Sequence, residues 1–253
     1  MKITKYPQSC LMVETRKTKI LVDPGTIDYD EKFLEEWSTA DAVLITHKHS
    51  GHFNIEALKK LKGIGDNVSQ SVSQGGIKGK NAETGPKPAK FVPKDIPIYS
   101  NSEVAEMGPE LEIKLVNAGD EFQIGDFGIE VTPAVHGYNP ILKGVTLKEN
   151  VGFLIDDART VLYVTSDCLA FDNDIKCNVI AAPASGMGLT MDALTLGLYA
   201  KQVNAKYIVV THMDNKMNPV TREAADAVLS RQDIKYFIPK TGETLELFGI
   251  EIK

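Results

Sequence analysis

The positions of the histidines constrain the fold of this chain more than any other feature of its sequence. Only five histidines occur among 253 residues, at His47, His49, His52, His136 and His212. The first three lie within six positions and directly follow the apolar run 42–46, which is typical of a buried strand. The other two come at the ends of predicted strands, 127–135 and 206–210. A chain with this pattern is expected to gather several strand ends along one rim.

The rest of the chain consists of runs of short predicted strands separated by a few helices. The other predicted strands are 2–6, 9–14, 18–23, 96–99, 111–116, 151–155, 161–165, 179–182, 236–238 and 245–252. Helices are predicted at 31–37, at 55–61 with Asn54 as N-cap, at 191–203 with Thr190 as N-cap, and at 221–229. This order is typical of a layered α/β fold with a site on the rim formed by strand ends.

Residues 64–93 interrupt this pattern. Apolar residues are sparse there, so the segment buries too little surface to offset the entropy lost on ordering. We interpret it as a flexible insertion within a single domain that spans residues 1–253. The alternative is a lid or a partner-binding arm. Its lysines would suit an anionic substrate, and they include Lys78, Lys80, Lys87 and Lys90, with Lys94 just beyond.

Composition excludes several classes of protein. The net charge of −6 argues against binding nucleic acid or an anionic membrane through bulk charge. No apolar run approaches the roughly 18 residues of a membrane span, and the first residues lack the apolar stretch of a signal peptide. Three cysteines rule out a four-cysteine zinc module. We therefore expect a soluble protein from a reducing cytoplasm.

The spacing of the histidines favours metal binding. His47 and His49 are two apart at the exit of a strand, so both imidazoles can face one way. His52 lies three residues further on, which lets one short segment supply ligands to two adjacent metal positions. Imidazole suits zinc, iron or manganese, and a carboxylate such as Asp167 can complete or bridge a site. For any one histidine the alternative is a polar side chain satisfied by hydrogen bonds.

These motifs, taken in order, resemble the metallo-β-lactamase superfamily. They are Asp23, His47-x-His49-x-x-His52, His136, Asp167 and His212. The text at 19–25 and 44–47, and again at 190–193 and 208–212, is similar to a branch of predicted metal-dependent hydrolases that includes ascorbate-6-phosphate lactonase. The resemblance spans nearly the whole chain outside residues 64–93.

The resemblance implies a four-layer αββα sandwich with one or two zinc ions at one edge of its two sheets, manganese or iron being the alternatives. It implies that the first metal is bound by His47, His49 and His136. It further implies that the second is bound by His52 and His212, with Asp167 bridging the two. Asp23 would hold the histidine loop through hydrogen bonds. The alternative role for Asp23 is a turn cap before Pro24.

The chain departs from the family pattern at two places. The pattern H-x-H-x-D-H has Gly51 in place of its aspartate, which predicts a weaker second metal and a less well oriented nucleophile. Asp214 is an alternative ligand. Near the start, Gln8 stands where this branch usually has the histidine of a Gly-His-Ser-type motif, and an amide cannot carry a proton as imidazole does. We expect Gln8, like Asp23, to support the site from outside the metal ligands.

The predicted function is metal-dependent hydrolysis. A metal-activated water would attack a phosphodiester, a lactone or a similar ester of a small anionic substrate. Asp167, His52 and His212 are the expected catalytic residues. Two alternatives stay open: a metal-binding pseudoenzyme, favoured by Gly51 and Gln8, and a nuclease of the same superfamily, which the acidic net charge disfavours. The segment that follows His136 contains Tyr138, Asn139 and Lys143. We expect these side chains either to line the pocket or to lie in a solvated loop.

Overall fold

A computed structural model describes residues 1–65, 91–138, 147–213 and 220–247. The strands, in chain order, are β1 Lys2–Lys5, β2 Leu11–Glu14, β3 Lys19–Val22, β4 Ala42–Leu44, β5 Ile98–Ser100, β6 Lys114–Leu115, β7 Glu121–Ile124, β8 Phe127–Pro133, β9 Val151–Asp156, β10 Val161–Val164, β11 Val179–Pro183, β12 Tyr207–Thr211, β13 Lys235–Phe237 and β14 Thr244–Glu246. The helices are α1 Phe33–Trp37, α2 Ile55–Lys62, α3 Ser102–Met107, α4 Ala193–Gln202 and α5 Arg222–Leu229, with a 3-10 turn at Pro109–Leu111. No helix within these ranges is long and apolar enough to cross a membrane.

The strands form two seven-stranded sheets. One has the order β14-β1-β2-β3-β4-β5-β6 and the other has the order β13-β12-β11-β10-β9-β8-β7. In the first sheet β3 and β4 are parallel, so both end at the same edge. In the second, β8 and β10 each pair antiparallel to β9, and β10, β11 and β12 are parallel. The strands β8, β10 and β12 therefore also end together.

Successive side chains along a strand pack on opposite faces of its sheet, one face in the cluster between the sheets and the other in a cluster under helices. Leu11 and Val13 of β2 pack in the cluster between the sheets, whereas Met12 packs on the opposite face. That outer face of the first sheet is covered by α1 and α2, which contribute Trp37 and Leu58 among others. The outer face of the second sheet is covered by α4 and α5. The order of layers is α, β, β, α, which confirms the predicted sandwich.

Most of the predicted elements are present, and some of their ends differ. Asn54 caps α2 by accepting the N–H of Ala57 at 3.0 Å. The predicted cap of α4, Thr190, is wrong: Asp192 accepts the N–H of Thr195 at 2.7 Å, and the Thr190 hydroxyl bonds within its own loop instead. The α-helix α3 was not expected.

Several predicted strands are shorter than expected: 42–46 and 127–135, for example, end at Leu44 and Pro133, and two others differ more. The segment 111–116 is a strand only at Lys114–Leu115, because the 3-10 turn at Pro109–Leu111 takes its first residue. The segment 245–252 is a strand only at Thr244–Glu246 within the described residues, which end at 247.

The ends of the predicted insertion pack against the body of the protein. Ile64 and Phe91 are half-buried against the apolar cluster beneath α1 and α2. Residues 66–90, with Lys78, Lys80, Lys87 and Lys90, lie outside the described residues. The boundaries 64 and 93 and the role of the segment stay predictions.

Candidate metal centre

Two groups of side chains that could hold a metal ion lie next to each other where β4 of the first sheet and β8, β10 and β12 of the second sheet end. The first group is His47, His49, His136 and Asp167, and the second is His52, Asp167 and His212. Within each group the potential ligand atoms all lie within 4.8 Å of one another. The structure therefore brings together all five histidines of the chain, and Asp167 belongs to both groups.

Each of these side chains lies just beyond the end of a strand. The loop that carries His47, His49 and His52 follows β4, and Asp23 directly follows the parallel neighbour β3. In the other sheet His136, Asp167 and His212 follow β8, β10 and β12, whose carboxyl ends share one edge. Strand direction brings these residues to one edge within each sheet, and the packing of the two sheets on each other brings the two edges together.

Asp167 faces both groups with different oxygen atoms. Its Oδ2 lies 3.8 Å from Nε2 of His136 and 4.0 Å from Nε2 of His47. Its Oδ1 lies 2.8 Å from Nε2 of His212 and 3.3 Å from Nε2 of His52. A carboxylate placed in this way is able to share one oxygen with each of two adjacent cations.

Two imidazole nitrogen atoms of the first group are buried without a hydrogen-bond partner among the described residues, and a bound cation would satisfy them. Nδ1 of His136 donates to the carbonyl of Gly137 at 2.6 Å, so Nε2 is the nitrogen that faces Asp167. Within the described part of the chain, Nε2 of His136 and Nε2 of His49 are buried without a hydrogen-bond partner. A buried nitrogen left in this state costs about 1–3 kcal/mol. Coordination of a cation would satisfy a lone pair of this kind.

Asp23 fixes the histidine loop through three hydrogen bonds. Its Oδ1 accepts the N–H of Thr46 at 2.8 Å, and its Oδ2 accepts the Thr46 hydroxyl at 2.9 Å. Oδ2 also accepts Nδ1–H of His52 at 2.7 Å. Because Nδ1 carries the donated proton, Nε2 of His52 is directed at Asp167 and His212. A carboxylate behind a histidine is the usual support of a metal ligand.

A second supporting chain, which sequence reasoning missed, runs behind His47. Nδ1 of His47 lies 3.1 Å from the Ser166 hydroxyl, which donates to Oδ1 of Asn150 at 2.6 Å. The amide of Asn150 in turn donates to the carbonyl of Asp167 at 2.9 Å. Ser166 precedes Asp167 in the sequence, and that adjacency was the one available signal; nothing local marks Asn150.

The unexpected helix α3 anchors the histidine loop from the other side. Lys48, between two of the histidines, forms an ion pair of 2.7 Å with the buried Glu103. Asn101, the N-cap of α3, donates to the carbonyl of Thr46 at 3.0 Å. Glu103 also accepts the backbone N–H of Glu149 at 3.0 Å. The loop is therefore held at its first residues by side chains from an element that carries no ligand itself.

Several residues around the two groups have a strained backbone. Four residues at the site adopt a left-handed conformation, and they are Gln8 at φ 58°, Asp23 at φ 49°, Ser166 at φ 65° and His212 at φ 61°. Residues other than glycine rarely adopt this conformation, which costs of order 1–3 kcal/mol and persists where surrounding contacts impose it. Such strain at a cluster of histidines indicates a functional site.

The turn after Asp23 and the histidine loop approach each other closely at two glycines, Gly25 and Gly51. A Cβ on Gly25 would lie 2.1 Å from the carbonyl oxygen of Gly51, so position 25 admits only glycine without a shift of the backbone. The carbonyl of Gly51 accepts the hydroxyl of Ser9 at 2.7 Å. The carbonyl of Gln8 accepts the N–H of His212 at 2.9 Å. Gln8 thus lies between the histidine loop and His212, near the position expected for it.

Burial and neighbouring charges push the histidine pKa values apart. Burial holds the pKa of His47 well below its usual range, and burial together with the nearby His136 lowers the pKa of His49 to about 4. Burial also opposes the charged form of His52, but Asp167 and Asp23 outweigh it and raise its pKa to about 10. Burial would raise the pKa of Asp167, yet His212 and His52 hold it well below its usual range. His47 and His49 are therefore neutral imidazoles at pH 7, the form in which histidine binds metal ions.

Two other residues that are close to the ligands in the sequence belong to neither group, and they are Cys168 and Tyr138. Cys168, next to Asp167, is buried and belongs to neither group, and its sulfur accepts the N–H of Val135 at 3.2 Å. Tyr138 is 76% exposed, so it stands in solvent beside His136. Asn139, Lys143 and Asp214 lie outside the described residues.

Comparison with known proteins agrees with this geometry. A family model described as a beta-lactamase superfamily domain matches residues 2–212. The chain is 24% identical over 221 residues to a protein of Oenococcus oeni named as a UPF0173 metal-dependent hydrolase, which covers 84% of this chain and 85% of that protein. These matches identify the superfamily but do not assign the chain to one branch of it. The relation to ascorbate-6-phosphate lactonase therefore stays a prediction.

Two solved structures have the same fold. An isothiocyanate hydrolase from Delia radicum gut bacteria superposes with a TM-score of 0.71 at 18% identity, covering 98% of this chain and 100% of that chain. A metallo hydrolase from the archaeon Ignicoccus hospitalis superposes with a TM-score of 0.68 at 21% identity, covering 97% of this chain and 98% of that chain. At this level of identity the likeness concerns the fold alone.

Proposed function

This chain belongs to the β-lactamase superfamily, and from that premise we propose that it is a metal-dependent hydrolase. The observation that carries the proposal is the convergence of five histidines on Asp167, with two imidazole nitrogens buried and unsatisfied among the described residues. Nitrogen-rich sites with one carboxylate suit zinc, and manganese or iron are the alternatives. In this proposal His47, His49 and His136 hold a first cation, His52 and His212 hold a second, and Asp167 bridges them.

A bound divalent cation supplies Lewis acidity and lowers the pKa of water toward about 7. The protein supplies orientation. Asp167 presents one oxygen to each group, and its carboxylate is fixed by the contacts of its own backbone with Asn150. Asp23 keeps the Nδ1 proton of His52 in place, so that Nε2 stays directed inward. We propose that Asp167, His52 and His212 form the catalytic side of the centre.

The charge of the site favours an anionic substrate. His47 and His49 are neutral imidazoles, and Asp167 is the one carboxylate that the two groups contain. A centre filled with divalent cations would therefore carry excess positive charge, which attracts anions. We propose a small phosphodiester, a lactone or a similar ester as the substrate. The isothiocyanate hydrolase among the structural neighbours adds one further compound class to test.

The test is a hydrolysis screen on the metal-loaded protein. Aryl phosphodiesters, lactones and an isothiocyanate are offered with zinc, manganese or iron, beside a His49→Ala variant and a chelated sample as controls. We expect turnover of at least one class that disappears in both controls. Metal binding without turnover of any class would favour the pseudoenzyme. Single-stranded RNA and DNA are offered to the same samples, and turnover confined to them would favour the nuclease.

A further inference from the structure

The side chain of Gln8 lies in the direction in which a side chain at position 51 would extend. A Cβ on Gly51 would be 3.1 Å from Cγ of Gln8 and 3.5 Å from Nε2 of Gln8. Its next neighbour would be Cδ1 of Ile27, at 3.6 Å. Gly51 is buried and its φ is not in the left-handed region, so its backbone would accept another residue. The contact with Gln8 is what restricts this position.

The backbone of Gln8 is held firmly enough to keep its side chain there. Its φ of 58° is a left-handed conformation, and its carbonyl accepts both the N–H of His212 at 2.9 Å and Nζ of Lys5 at 2.6 Å. Gln8 therefore contacts the two segments that carry the histidines of the second group: Gly51, which precedes His52, and His212 itself.

Gln8 also borders open space. It lines a cavity of about 310 Å³ together with Pro7, Asp28 and Met213, and Met213 directly follows His212. Gln8 therefore contacts His212 through its backbone carbonyl and also lines the cavity. An amide can donate and accept hydrogen bonds there, but it brings no charge.

We propose that the Gln8 side chain takes the space a residue at position 51 would need, and that its neutral amide closes the second group on the side of the cavity. This inference rests on the metal site proposed above. It means that Gln8 adds no carboxylate to the second group, in which Asp167 is the one carboxylate. It also means that positions 8 and 51 are coupled, so that a carboxylate introduced at 51 is effective only when Gln8 gives way.

The packing half of the proposal is tested without metal. Gly51→Ala, Gln8→Ala and the double variant are compared with the native chain by thermal unfolding in chelator. Alanine at 51 reduces the entropy of the unfolded chain, so it should raise Tm where there is room for it. We expect the gain to be larger by about 2–4 °C when Gln8 is alanine. Equal shifts in both backgrounds would overturn the proposed contact.

The metal half uses Gly51→Asp, with Gly51→Asn as a control of equal size and no charge. Zinc affinity is measured by calorimetry and chelator competition, with either Gln8 or Gln8→Ala. We expect aspartate to tighten the second zinc by about tenfold or more in the Gln8→Ala background, and by clearly less beside Gln8. Asparagine should give no such gain.

The outcomes separate this inference from the proposed function. If the native chain binds two zinc ions and aspartate has the same effect in both backgrounds, the inference is wrong while the metal site stands. If the native chain binds no divalent cation at all, the proposed function and the metal half of the inference are wrong, and the packing half is decided by the thermal shifts alone.

Discussion

Oδ2 of Asp23 accepts Nδ1–H of His52 at 2.7 Å, and both side chains are buried. This contact decides which nitrogen of His52 faces Asp167 and which carries the retained proton. The same carboxylate holds Thr46, at the start of the loop that supplies three of the five histidines. The orientation of the second group therefore depends on a residue that is itself no member of either group.

Asp23→Asn should weaken the second metal more than the first. Asparagine keeps the size of Asp23 but removes the charge that stabilises the proton on Nδ1 of His52. Loss of such a supporting carboxylate typically costs about 10–100-fold in metal affinity. Zinc titration by calorimetry should show the weaker site lost or shifted and the tighter one within about threefold of native. An equal change at both sites would contradict the assignment of Asp23 to His52.

Binding of the second cation should release a proton. Without a cation, Asp167 and Asp23 raise the pKa of His52 to about 10, so its Nε2 is protonated at pH 7. The pKa of His49 is lowered to about 4 and that of His47 lies well below its usual range, so neither brings a proton to the first group at pH 7. We expect about one proton released with the second zinc and near none with the first. Calorimetry in buffers of different ionisation enthalpy measures both, and equal release at the two sites would contradict this account.

Stability of the metal-free protein should fall on both sides of pH 6.5. The pKa of His52 is raised in the folded state, so its contribution is complete below its unfolded value of about 6.5 and is lost as pH rises toward about 10. The pKa of His49 is lowered, so stability is lost as pH falls from about 6.5 toward 4. Thermal unfolding against pH in chelator measures this. His52→Gln should flatten the upper limb; an unchanged upper limb would be contrary to the assignment.

Substitutions of Ser166 should separate its hydroxyl from its backbone strain. Ser166→Ala and Ser166→Gly both remove the hydroxyl between His47 and Asn150, so both should weaken the first metal by about tenfold. The φ of 65° is strained for alanine but not for glycine, so Ser166→Ala should be the less stable by about 1 kcal/mol. Metal affinity and urea unfolding test the two effects. Native affinity in both variants would show that the hydroxyl does not support His47.

The gathering of the histidines could be predicted because it follows from strand direction. The apolar runs before His47, His136 and His212 are visible in the sequence, and parallel strands deliver whatever follows them to the same edge. No long-range detail was needed for that step. The layer order likewise follows from alternation within strands such as β2.

The supports behind the histidines could not be predicted in the same way. Asn150 meets Ser166, and Glu103 meets Lys48, across 16 and 55 residues of chain, through contacts that depend on how two sheets and α3 pack. The cap of α4 was missed for a smaller reason. Thr190 and Asp192 are both good caps, and the choice is decided by the loop bonds that the Thr190 hydroxyl makes elsewhere.

The most direct measurement is the metal content of the purified native chain. The chain is first equilibrated with zinc, and mass spectrometry then gives the number and the element of the bound ions. The account predicts between one and two zinc ions per chain at saturation, the second lost first on dialysis, and less than half of that content in His49→Ala. A native chain that retains no divalent cation under saturating conditions would contradict it.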